Sequence, residues 1–187
     1  MHEDITKALE TLKNGGIILY PTDTVWGLGC DATNENAVQK IYTIKNRSDS
    51  KSMLILLENP ALLDRYIDEV PDIAWDLIEI STTPLTIIYP GARNLAKNLI
   101  AEDGSIGIRF TKEIFTRELL KRFHKPLVST SANISGQPTP SSFAEISGEI
   151  KSQVDYTVLY RQEDTSPAKP SGIIKLQVNG QIEIIRQ

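Results

Sequence analysis

The chain contains a single cysteine, Cys30, and only two histidines, His2 and His124. One cysteine excludes an internal disulfide and fits a reducing cytoplasm. No histidine lies near Cys30 in sequence, so it reads as small apolar packing rather than as a nucleophile. Two histidines exclude a multi-histidine metal site and leave only His124 for a Ser-His-Asp triad. No apolar run is long enough to cross a bilayer, and the Met-His-Glu-Asp start lacks the basic and apolar regions of a signal peptide. A cytoplasmic protein without a membrane partner is the expectation. Glycine-rich phosphate loops are absent as well. There is no GxxxxGK[ST], no GxGxxG between a strand and a helix, and no kinase-like set of motifs. A nucleotide would therefore be held by side chains and loop amides. The net charge of −4 excludes nucleic-acid binding driven by total charge. It leaves room for a local basic cleft, with cations clustered in residues 45–51 and 117–125.

What is present is ordinary for one globular domain: 187 residues, 40% apolar and 24% charged, enough to bury a sizeable core. Residues 3–13 carry Ile5, Ala8, Leu9 and Leu12 at amphipathic helical spacing, stopped by Asn14-Gly15-Gly16. A strand over 17–20 ends at Pro21, which has no N–H for a ladder. A helix capped by Asn34 runs through Ile44. A strand over 53–57, helices over 60–67 and 71–80, and strands over 84–89 and 105–110 follow. The last of these alternates Ile106 and Ile108 with Gly107 and Arg109, which puts Arg109 on the opposite face. A helix over 113–123 precedes a strand beginning at Pro126. A Pro- and Ser-rich loop over 137–142, a helix near 143–151 and a strand over 156–160 come next. Asn179-Gly180 then joins two strands as a hairpin. Residues 161–170 form a polar loop without periodicity, open to two readings: a lid over a ligand or a plain connection. Alternating helices and strands with a terminal hairpin predict an α/β fold with a mixed twisted sheet.

Three stretches could carry chemistry. Pro21-Thr-Asp-Thr24 places small polar side chains where a buried strand ends, with Gly27 and Gly29 free to bend or admit a ligand. Lys45, Arg47 and Lys51 follow a helix end. They either complement its dipole or clamp a polyphosphate. Ser129-Thr-Ser-Ala-Asn133 again offers hydroxyls and an amide after an apolar strand, as a ligand-binding edge or a capped turn.

Together, PTDTVWGLG, Lys45-x-Arg47-x-x-x-Lys51, DGSIGIR (103–109) and STSANISG followed by Pro-Thr-Pro resemble the YrdC/TsaC family of threonylcarbamoyl-AMP synthases. The resemblance extends from about Gly15 to Arg186, with the motifs in the family's order. It implies one YrdC-like domain over 1–187, a twisted mixed sheet flanked by helices around a positively charged cavity. It also implies a nucleotidyltransferase reaction: L-threonine, bicarbonate (or CO2) and ATP with Mg2+ give threonylcarbamoyl-AMP and pyrophosphate, for tRNA modification. By motif match, Thr24, Arg109, Ser129 and Ser171 would hold threonine. Arg47, Lys51, Ser105, Ser131, Asn133, Thr139 and Arg186 would hold ATP, and Lys45 with Arg47 would be catalytic. Mg2+ would ride mainly on the phosphates rather than on protein ligands. Downstream partner proteins would transfer the threonylcarbamoyl group to tRNA.

The chain departs from the family pattern at Ser52, at residues 81–86 (which lack a Pro-Gly before Pro84), and at Gly172, where the family has Thr. It ends at Gln187, so the extra C-terminal domain of longer relatives is expected to be absent. Two other readings stand beside the synthase. One is a protein that grips double-stranded RNA by shape and phosphate contact without catalysis. The other is a carbamoyl-adenylate-forming module of a larger maturation protein, against which the stand-alone length counts.

Overall fold

The computed structural model describes residues 1–46, 53–166, 168–177 and 179–187. Helix α1 (His2–Lys13) carries Glu3 and Asp4 in its first turn and Lys13 in its last, matching the helix dipole, and buries Ile5, Ala8 and Leu12. Strand β1 (Ile18–Tyr20) is wholly buried. Residues 27–29, expected to bend or admit a ligand, form β2 (Gly27–Gly29), antiparallel to β1 with Tyr20 opposite Gly27 and Ile18 opposite Gly29. Here glycine serves close approach. A Cβ at Gly29 would lie 2.7 Å from Tyr20 Cε1 and 3.0 Å from the Val128 carbonyl oxygen.

Helix α2 (Glu35–Ile44) starts where Asn34 accepts from the Ala37 N–H, as its sequence predicts. Strand β3 (Leu54–Leu57) leads to a 3-10 turn at Pro60–Leu62 and a single helical turn, α3 (Leu63–Tyr66), in place of one helix over 60–67. Helix α4 (Ile73–Ile80) begins two residues past Pro71, whose carbonyl oxygen accepts from the Ala74 N–H. Strands β4 (Leu85–Tyr89) and β5 (Ile106–Phe110) fall as expected. Helix α5 (Ile114–Phe123) is capped by Glu113, which accepts from the Thr116 N–H at 2.7 Å, and stops at His124 in the left-handed region (φ 57°).

Strand β6 (Leu127–Ser131) contains the hydroxyl run that the sequence reading placed after the strand. Ser129 and Thr130 are therefore ladder residues, and only the segment from Ala132 onward is loop. The helix expected over 143–151 is α6 (Gly148–Gln153). Phe143 instead turns its ring onto Trp26, with centroids 4.8 Å apart. Strand β7 is only Tyr156–Thr157, because the Leu159 N–H leaves the ladder for the Asp4 carboxylate. Strands β8 (Gly172–Leu176) and β9 (Ile182–Arg186) form the expected antiparallel hairpin.

The nine strands assigned among the described residues make one mixed sheet, ordered β7-β1-β2-β6-β3-β5-β4-β8-β9. The β1/β7, β3/β5 and β4/β8 pairs are parallel, and the other neighbours antiparallel. Register places Leu56, Arg109, Thr86, Ile173 and Arg186 in one row across five strands. Because side chains alternate along each strand, the adjacent row (Ile55, Ile108, Ile87, Ile174) faces the other way and is buried. The sheet is thus apolar on one face and turns Arg109 and Arg186 to the other.

Candidate active site

The turn after β1 is held from outside. Thr116 Oγ1 on α5 donates to the Pro21 carbonyl oxygen at 3.0 Å, and Arg161 Nη1 donates to that of Thr22 at 3.2 Å. Within the turn, Thr22 Oγ1 donates to the Val25 carbonyl oxygen at 2.7 Å and accepts from the Thr24 N–H. A hydroxyl has one proton. Thr24 must therefore donate across the 3.0 Å contact between the two hydroxyls, which leaves only lone pairs on Thr24 Oγ1 for a ligand.

Asp23, between them, lies against Arg109 of β5, with Nη2 3.2 Å from Oδ1 and both side chains nearly enclosed. Tyr20 is fully buried beside them. Burial pushes its phenol well above the ordinary range and the Asp23 charge adds to that, while a hydrogen bond with Ser129 and the Arg109 charge pull the other way. Thr24, Arg109 and Ser129 are thus brought to one place through Asp23 and Tyr20. Ser171, immediately before β8, is joined to the same row by the 2.8 Å contact of its hydroxyl with Thr86 Oγ1. Arg186 donates from Nε to the Ser171 carbonyl oxygen at 2.9 Å. Its guanidinium pKa is lowered by burial and by the charge of Arg109, so the two cations face common ground. That is an anion-binding arrangement.

A second cluster sits at the end of β6. Lys45, the C-terminal cap of α2, is 2% exposed and donates from Nζ to the carbonyl oxygens of Ser131 at 2.5 Å and Asn133 at 2.7 Å. Ser131 Oγ donates to Asn133 Oδ1 at 2.5 Å, and Asn133 Nδ2 to the Gln137 carbonyl oxygen at 2.7 Å. Lys45, Ser131 and Asn133 come together as the resemblance implied, with the ammonium bolting the 131–133 backbone in shape. Arg47 and Lys51 lie outside the described residues. Thr139 is exposed on the loop that follows.

Ser105, immediately before β5, donates from Oγ to Asp103 Oδ1 at 2.6 Å, while Lys175 of β8 holds Oδ2 at 2.6 Å. The hydrogen bonds from Lys175 and Ser105 bring the Asp103 pKa down to about 2. This group borders a cavity of about 1080 Å³ over the Arg109 side of the sheet, lined also by Tyr42, Thr86, Ile88 and Ile173. Lys97 and Lys175 are opposed there by Glu102 and Asp103, so charge is balanced at that end. Among the described residues no cluster of three or more His, Cys, Asp or Glu is placed to hold a metal ion. Cys30 is buried, and burial raises its thiol pKa far above the ordinary range, as packing requires.

Sequence reading named Asp23 only as part of the 21–24 turn and Arg161 only as the start of the 161–170 loop, and gave no individual role to Tyr20, Thr86 or Asp103. Asp103-Gly-Ser105 carried a usable signal, since an Asp two residues before a Ser commonly folds back on its N–H, as it does here at 3.1 Å. A polar Thr86 within Leu-Thr-Ile-Ile was another. Nothing local pointed to the Arg161–Thr22 contact.

A model of the Sua5/YciO/YrdC domain, described as "Telomere recombination", matches residues 10–187. The threonylcarbamoyl-AMP synthase of Pseudoalteromonas translucida is 35% identical over 181 residues, covering 95% of each chain. The crystal structure of E. coli YciO superposes with a TM-score of 0.86 at 26% identity, covering all of this chain and 90% of that one. P. abyssi Sua5 complexed with L-threonine gives a TM-score of 0.81 at 24% identity, covering 92% of this chain and 50% of the longer one, a likeness of fold. The shared fold and the length of the matched segment lead to one assignment: this chain belongs to the Sua5/YciO/YrdC family.

Proposed function

We propose that this protein is a threonylcarbamoyl-AMP synthase, joining L-threonine, bicarbonate or CO2, and ATP for the threonylcarbamoyladenosine modification of tRNA. The observation that carries the reading is the union of two arginines and buried hydroxyls on one sheet face with the bolted 131–133 loop at its edge. Relatives bearing that enzyme name, at 31–35% identity, support it.

In this reading Arg109 meets the threonine carboxylate, while Thr24, Ser129 and Ser171 read its hydroxyl and amine. Ser105, Ser131, Asn133, Thr139 and Arg186, with Arg47 and Lys51, hold the nucleotide. The threonine ammonium first gives up a proton; the free amine attacks the carbon of CO2 and loses a second proton, giving a carbamate that keeps one N–H. A carbamate oxygen then attacks the α-phosphorus, the bond to the β-phosphate breaks, and pyrophosphate leaves. No described side chain is needed as a nucleophile, so the chain acts by positioning and electrostatics. The hydroxyl and amide groups here offer few ligands to a metal, so a Mg2+ ion would be carried mainly on phosphate oxygens and would offset their charge there.

Transfer to tRNA by further proteins belongs to the same proposal, as does work in the cytoplasm. Among the described residues no helix is long and apolar enough to cross a membrane. Double-stranded RNA binding without catalysis fits less well, because a buried Arg109 and a buried hydroxyl pair read no duplex surface. The test is pyrophosphate release from ATP with threonine and bicarbonate omitted in turn. Loss of release in each case is expected, and undiminished release without threonine would overturn the assignment.

A further inference from the structure

The Asp23–Arg109 pair is poorly made for a structural bond. Its side chains are 11% and 4% exposed, with Nη2 and Oδ1 3.2 Å apart. Yet neither Asp23 Oδ1 nor Arg109 Nε has a hydrogen-bond partner among the described residues. Two charges taken out of water stabilise a fold only when their remaining lone pairs and protons are also satisfied. The turn is held by other groups: Pro21 and Thr22 through their carbonyl oxygens, Thr22 and Thr24 through their hydroxyls. The Asp23 carboxylate can thus change partner without undoing the turn that carries it.

We propose that Asp23 receives the α-ammonium of the amino-acid substrate, and that its contact with Arg109 is the pocket's internal substitute for a zwitterion. This rests on the reading of the pocket as a threonine site. When the substrate enters, its carboxylate takes Arg109 and its ammonium takes Asp23. One imperfect ion pair becomes two, and no net charge is added to a closed space. A ligand with a carboxylate but no ammonium must displace Asp23 from Arg109 and leave a buried anion unpaired, which is strongly unfavourable. Asp23 therefore selects amino acids over 2-hydroxy acids by penalising the wrong ligand as well as attracting the right one. Once the nitrogen has been carboxylated it keeps one N–H, which can donate to the same carboxylate.

The experiment is calorimetric titration of the full chain, wild type and Asp23→Asn, with L-threonine and with (2S,3R)-2,3-dihydroxybutanoate, in which hydroxyl replaces ammonium. Wild-type protein should bind threonine at least about tenfold more tightly than the analogue, because a site built for an N–H donor rejects a ligand lacking it. In Asp23→Asn threonine should weaken about tenfold or more, while the analogue binds as well as before or better, Arg109 being released. Unchanged ATP affinity serves as the check on folding. Equal weakening of both ligands would make Asp23 a mere support for Arg109 and overturn the proposal. So would wild-type protein that binds both ligands equally, a result needing no variant. If wild type bound ATP but no threonine, the threonine reading itself would fail first.

Discussion

Arg161 fastens the loop after β7 to the turn that carries Thr24, through its 3.2 Å hydrogen bond to the Thr22 carbonyl oxygen. The same guanidinium holds Asp164 at 2.7 Å and lies 3.9 Å from the buried Glu113. Arg161 does this from the left-handed region, φ 67°, which side chains with a Cβ adopt reluctantly.

Replacing Arg161 should therefore act on threonine before ATP. In Arg161→Gly the strain is relieved and only the latch is lost, whereas Arg161→Ala loses the latch and keeps the strain. Both should raise the threonine KM severalfold with the ATP KM nearly unchanged, and Arg161→Ala alone should lower Tm. If the loop is a lid, threonine plus a non-hydrolysable ATP analogue should slow hydrogen exchange in residues 161–166. Equal KM changes for the two substrates would detach Arg161 from the threonine pocket.

The Asp23–Arg109 pair predicts a non-additive cycle. Arg109→Met leaves a carboxylate buried alone and should cost about 3–5 kcal/mol in urea unfolding. Adding Asp23→Asn to it should recover most of that loss, since the unpaired charge disappears. A double variant less stable than Arg109→Met would mean that the pair is not the dominant interaction of either group.

Lys45 and Arg47 should separate stability from binding. Lys45→Ala removes the ammonium from the Ser131 and Asn133 carbonyl oxygens and should destabilise the fold by about 1–3 kcal/mol. Arg47→Ala should weaken ATP by about 1.5–3 kcal/mol if its guanidinium makes charged hydrogen bonds, with Tm unchanged. Melting curves beside ATP titrations decide, and identical profiles for the two variants would refute the division.

Asp103 gives an acid-side signature. Its folded pKa, about 2, lies below the ordinary aspartate value of 3.8, so its contribution is complete above about pH 4 and fades as pH falls toward 2. The side chain is 51% exposed, so screening keeps the effect small. Asp103→Asn should flatten the fall in urea midpoint between pH 4 and 2.5 without altering the trend above pH 5. A parallel loss in both proteins would count against it.

Gly29→Ala should be severe. Its methyl would press on the fully buried Tyr20 ring and on a strand carbonyl, and overpacking of this kind typically costs about 1–3 kcal/mol. Gly148→Ala, at the first residue of α6 with nothing within 4 Å of the added carbon, should be neutral or stabilising by about 0.5 kcal/mol. Thermal melts of the two variants would test the contrast.

Much of the fold was legible because its signals are local. The Asn34 cap, the spacing of Ile5, Ala8 and Leu12, and the Asn179-Gly180 turn each act within one helical turn or one hairpin. The alternation from Ile106 to Arg109 showed correctly which side chain leaves the core. The motif blocks also named groups that the structure gathers: Arg109 and Ser129 beside Tyr20, with Thr24 next to Asp23, and Lys45 with Ser131 and Asn133. Arg47 and Lys51 lie outside the described residues.

The order of the sheet could not be read this way, and it decided the rest. Strand β2 has three residues and two glycines, so no propensity marks it, and it exists because Tyr20 and Ser131 flank it. Ser129 looked like a turn residue, yet it lies in β6 opposite Leu54 of β3. Thr86 meets Ser171 across 85 positions, and Lys45 meets Ser131 across 86. Helical period and capping were determined by the sequence alone because neighbouring residues enforce them. The partner of each buried charge was decided only by tertiary structure, because it depends on which strands lie side by side.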